Sequence, residues 1–87
     1  MVKLKMIPDE LHKELAKYNI TARGEVALRE VLETHAETYT LIKLAPWPAR
    51  RWKCQYRLLI RDKMYDAQSP SEAYAMALLG ILEQNQV

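Results

Sequence analysis

The sequence predicts an α+β fold: N-terminal helices, a three-stranded antiparallel sheet and a C-terminal helix. Helical spacing of apolar residues is confined to stretches before residue 37 and after residue 69. Between them lies β-branched and aromatic sequence with period-two alternation. Pro46 and Pro48 interrupt that region, because neither can donate to a strand ladder. Eighty-seven residues fit one domain. Residues 1–22 form a strand-and-helix extension, and residues 23–87 an αβββα core.

Val2 to Met6 reads as a short strand, with Leu4 and Met6 on one face and Lys3 and Lys5 on the other. Pro8 is placed at the first position of a helix, with Asp9 and Glu10 suiting its first turn. Leu11, Leu15 and Tyr18 form its apolar stripe, and Asn19 stops it. Thr21 is a candidate cap for the next helix, unless Arg23-Gly24 is still loop. Ala27, Leu28, Val31, Leu32 and His35 carry that helix to about residue 36. Thr38 to Leu44 is the first strand of the core. A second strand alternates Trp52, Cys54, Tyr56, Leu58 and Ile60 with Arg51, Lys53, Gln55, Arg57, Leu59 and Arg61. Arg61-Asp62-Lys63 is a tight turn into a third strand, Met64 to Ala67. Ser69-Pro70-Ser71-Glu72 has the form of a capping box with proline at the first helical position. The helix it opens runs to about Gln84.

Charge is concentrated in one segment. Residues 50–63 hold six basic side chains (Arg50, Arg51, Lys53, Arg57, Arg61, Lys63) against Asp62, a net +5. The remaining seven basic and ten acidic side chains leave the rest of the chain at −3. Side chains two residues apart on a strand project the same way, so Arg51, Lys53 and Arg57 share a face. Such a face can follow a phosphate backbone or an acidic protein surface; the plainer alternative is a solvated outer sheet face. Trp47, between two prolines and close to Arg50, belongs with this candidate binding surface as a pre-organised loop residue, or else folds over the core. Trp52 heads the apolar strand face and is expected in the core.

The C-terminal helix is apolar all round from Ala73 to Leu82 and must be covered on more than one side. Either the sheet and the N-terminal helices cover it, or Tyr74, Leu78, Leu79 and Leu82 form an interface, for instance in a homodimer. Cys54 is the single cysteine, which forbids an internal disulfide and points to a small buried hydrophobe. His12 and His35 lack metal-ligand spacing, so no metal and no cofactor are expected. With two glycines there is no phosphate-cradling loop. No nucleophile pairs with a base, so catalysis is not expected. The ten-residue apolar run is half of a membrane span, and the N-terminus lacks a secretory h-region, which leads to an expectation of a cytoplasmic protein with no membrane partner.

The α–β–β–β–α order of residues 24–84, with its alanine-rich last helix Ser69 to Leu79, resembles the double-stranded RNA-binding domain fold. Pro70, Ser71 and Glu72 stand where that family places a lysine cluster, so the resemblance implies the fold and not the RNA-binding surface. The stretches Lys3 to Leu11 and Ala22 to Glu30 resemble a ribbon–helix–helix DNA-binding unit. That likeness implies a dimer through residues 2–6, with Lys3 and Lys5 pointing at DNA. In size and lack of catalytic groups the chain is similar in general type to small phage accessory proteins, anti-CRISPR proteins among them. Two functions are therefore expected in competition. One is a binding module that contacts nucleic acid through the basic strand. The other is an inhibitor or adaptor that binds a protein, such as a nucleic-acid-binding protein.

Overall fold

A computed structural model describes residues 8–22, 24–44 and 55–84. The strand expected at Val2 to Met6 lies outside these residues, as do Arg23, Trp47, Trp52 and Cys54. Three helices and three strands follow in the order α1 (Asp9–Ala16), α2 (Glu25–His35), β1 (Thr40–Lys43), β2 (Tyr56–Ile60), β3 (Lys63–Ala67) and α3 (Pro70–Gln84). This is the α+β arrangement expected from the sequence.

Helix α1 starts one residue later than expected. Pro8 sits just outside it in an extended conformation, and its carbonyl accepts the His12 N–H at 3.0 Å. The end of α1 is well defined. Asn19 takes a left-handed φ of 65°, its N–H donates to the Ala16 carbonyl, and the Ile20 N–H donates to the Leu15 carbonyl. These two bonds make a Schellman motif, and the accompanying apolar contact is supplied by Leu15 and Ile20, both buried. Thr21 does not cap α2. Gly24 precedes its first residue, and no side chain caps that end. Leu28 and Leu32 face inward one turn apart, while Ala27 and His35, expected on the apolar stripe, are exposed.

The sheet is antiparallel in the order β1-β2-β3. Leu58 of β2 lies between Leu41 and Tyr65, and Arg57 between Ile42 and Asp66. A two-residue loop, Arg61-Asp62, joins Ile60 to Lys63. Arg61 adopts a φ of 55°, as the mirror-type turns of short hairpins require.

Helix α3 is the centre of the molecule. It packs on β2 and β3 on one side and on α2 and α1 on the other. Ala73, Tyr74, Ala75, Ala77, Leu78 and Ile81 are all buried, which explains why the helix is apolar around its circumference. Its start follows the expected capping box with one change. The Ser69 hydroxyl accepts the Glu72 N–H at 3.2 Å, but the Glu72 carboxylate returns to the N–H of Gln68 at 3.4 Å, one residue before the cap.

Candidate functional site: the open face of the sheet

One face of the sheet rests on α3; among the described residues, the other, termed the open face, carries exposed side chains. Alternation places Leu41, Leu58, Ile60, Tyr65 and Ala67 toward α3. It places Thr40 and Ile42 of β1, Arg57 and Leu59 of β2, and Met64 and Asp66 of β3 on the open face. The sequence suggested that this face would be basic. Among the described residues it carries apolar Ile42, Leu59 and Met64 beside polar Thr40 and the Arg57 and Asp66 charges. Ile42, Leu59 and Met64 are 38, 37 and 55% exposed.

Arg57 is the basic residue that β2 contributes to this face, and it is engaged within the chain. Its guanidinium donates to both carboxylate oxygens of Asp66, at 2.8 and 3.2 Å, across the β2–β3 pair. The fork geometry matches a carboxylate in two parallel bonds. Hydrogen bonding to Asp66, then its negative charge, raises the Arg57 pKa further above its already high value. Arg57, expected as a contact to an outside anion, thus has its charge paired with Asp66 while its side chain remains partly exposed.

Arg61 and Lys63 stand exposed at the hairpin end of the sheet. Arg61 borders a cleft of about 380 Å³ with His35, Ala36, Glu37 and Thr38. Glu37 and the carbonyl end of α2 make this cleft a poor place for an anion. Arg50, Arg51, Lys53 and Trp47, the other expected contact residues, lie outside the described residues.

The surface expected on α3 is largely used within the chain. Tyr74 and Leu78 are core residues, and Leu79 and Leu82 are half-buried. The Tyr74 ring meets Tyr39 edge to face, with centroids 6.0 Å apart. Tyr39 in turn donates to Glu33 at 2.6 Å, tying β1's approach to α2. Burial, reinforced by Glu33, pushes the Tyr39 hydroxyl pKa well above its ordinary 10.0. A homodimer built on Tyr74 and Leu78 would require opening the core.

No group of three or more His, Cys, Asp or Glu side chains suited to a metal ion occurs among the described residues. None of the described helices is long and apolar enough to cross a membrane. No protein-family model, curated protein or solved structure matches the chain.

Ile42, Leu59 and Met64 were not foreseen as a surface. The available signal was Leu59, the single apolar residue in the otherwise polar half of the β2 alternation. Ile42 and Met64 become its neighbours through strand pairing alone.

Proposed function

We propose that this domain is a non-enzymatic binding module that engages a protein partner through the open face of its sheet. The observation carrying this reading is the joint exposure of Ile42, Leu59 and Met64 across three adjacent strands. Single exposed apolar residues are ordinary, but contiguous ones favour contact with another macromolecule. The neutralised Arg57–Asp66 pair within the same face suits a partially desolvated protein contact better than a phosphate backbone. An inhibitor or adaptor is the corresponding biological role.

The test is a photo-reactive amino acid at Met64, with the same group at exposed Glu30 of α2 as control, in a lysate of the cells that carry the gene. A discrete protein adduct at position 64 and none at position 30 supports the reading. Equal adducts at both positions, or none, removes it.

A second reading is favoured by a separate observation. Arg61 and Lys63 are exposed, and in the sequence they belong with Arg50, Arg51 and Lys53 to the segment with net +5, which suits contact with nucleic acid. Fluorescence anisotropy with duplex DNA, duplex RNA and single strands tests it across a salt series. Phosphate contacts predict affinity that falls steeply with salt. Absence of binding at low salt removes this reading.

A further inference from the structure

Among the described residues, strand pairing arranges the open face in two rows. Thr40, Leu59 and Met64 are cross-strand neighbours in the row nearer the β2–β3 hairpin. Ile42, Arg57 and Asp66 form the next row. Across β2 and β3 this leaves a square, with Leu59 beside Met64 and Arg57 hydrogen-bonded to Asp66. We propose, resting on the reading of the open face as a protein-binding face, that its partner is a second copy of this chain. The two copies dock sheet to sheet about a two-fold axis that runs between β2 and β3, parallel to the strands.

A two-fold dimer requires a face that complements itself, because each contact occurs twice with the roles exchanged. Charge complementarity selects the axis. Rotation about the line between β2 and β3 lays β2 of each copy over β3 of the other. Leu59 then meets the partner's Met64, and Arg57 meets the partner's Asp66. The four charges alternate in sign around a square, so each has two opposite neighbours and like charges lie on the diagonals. An axis along β2 would stack Arg57 on the partner's Arg57. An axis across the strands, through the centre of the square, would set Leu59 against the partner's Arg57. Like-charge contact and a charge facing an apolar side chain are both unfavourable. A face holding one cation and one anion in contact also carries no net charge to repel its copy.

The side chains have the capacity for this second contact. Arg57 gives Nε and one terminal nitrogen to Asp66, and a guanidinium has further N–H donors for the partner's carboxylate. The Arg57 and Asp66 side chains are 37 and 35% exposed, so both are reachable from outside. Met64, the most exposed of the large apolar side chains at 55%, is flexible enough to fill the gap between two stacked sheets. The contact is small. Three strands about 4.8 Å apart and two rows about 7 Å apart make a patch well below the roughly 800 Å² that each side of a standard interface buries. The dimer is therefore weak and transient, half-formed at about 0.1 mM.

Sedimentation velocity of the full chain between about 10 μM and about 1 mM tests it, with conversion of monomer to dimer expected across that range. A monomer throughout overturns the proposal. Arg57→Glu and Asp66→Arg should each stay monomeric alone, whereas their equimolar mixture should dimerise, because an all-acidic square then meets an all-basic one. A dimer that persists in either variant, or a mixture of the two folded variants that stays monomeric, overturns it. Should a variant unfold, judged by circular dichroism, the unaltered chain decides alone. A mixture of isotope-labelled and unlabelled copies should give Overhauser contacts between the Leu59 methyls and the partner's Met64 methyl, and their absence overturns the proposal. Failure here is distinct from failure of the binding face. A monomeric chain that still gives an adduct with a different protein at position 64 overturns the second copy and keeps the face. No adduct at position 64, self-adduct included, removes the face itself.

Discussion

The Tyr65 ring of β3 lies directly against the backbone of Gly80 in α3. A Cβ built on Gly80 would collide with the Tyr65 hydroxyl and stand 3.1 Å from the ring carbon that bears it. This contact explains a glycine in the middle of a helix, where it costs about 1 kcal/mol relative to alanine. Gly80→Ala should therefore destabilise the domain by about 1–2 kcal/mol, since overpacking costs about 1–3 kcal/mol and helix propensity returns part of it. In a Tyr65→Phe background the hydroxyl is gone and the same change should be close to neutral. Chemical denaturation of the four proteins gives the coupling directly.

Neighbouring leucines on β2 should behave oppositely. Leu58 is fully buried against α3, whereas Leu59 lies on the open face. Leu58→Ala should cost about 2–5 kcal/mol through lost burial and a residual cavity. Leu59→Ser should cost less than about 1 kcal/mol while weakening partner binding. Equal costs in thermal denaturation would mean that the faces of β2 are assigned wrongly.

Arg61 occupies a left-handed position in the β2–β3 hairpin, a conformation that glycine adopts without a Cβ penalty. Arg61→Gly should raise stability by about 0.5–1 kcal/mol, read as an increase in Tm. Because it also removes an exposed cation, reduced binding to nucleic acid in this variant could not be ascribed to unfolding.

The Ser69 hydroxyl caps α3 at the Glu72 N–H. Ser69→Ala should cost about 1 kcal/mol, and Ser69→Asp should restore most of it. Since α3 touches every other layer, the loss should appear as a lower midpoint of one cooperative transition rather than as local fraying.

Tyr39 predicts a pH dependence. Its pKa is raised in the folded protein by burial and by the hydrogen bond to Glu33, while the unfolded value stays near 10.0. The folded state thus holds this proton more tightly. The associated stability is complete below pH 10 and is lost as pH climbs from there toward the folded pKa. Tyr39→Phe should be less stable at neutral pH but lose stability less steeply above pH 10. Tyr65 and Tyr74, also raised by burial, should leave a residual slope in the variant.

The amino-acid pattern by itself determined the element order, the three-stranded antiparallel hairpin sheet and the capped, all-apolar last helix. Those features rest on local physics: the spacing of Leu28 and Leu32, the alternation from Tyr56 to Ile60, and Ser69 and Pro70 before Ala73. Even the stop at Asn19 was legible, because asparagine tolerates the left-handed conformation that a Schellman motif needs. Tertiary structure alone decided the character of the open face. Alternation put Arg57 outward, yet only cross-strand register brings Asp66 opposite it and cancels its charge. Register likewise gathers Ile42, Leu59 and Met64, which are 17 and 5 residues apart along the chain, into one patch. The covering of α3 on both sides was decided in the same way, since an apolar circumference requires burial without specifying which elements provide it. Periodicity reports which way a side chain points; pairing and packing determine what it meets there.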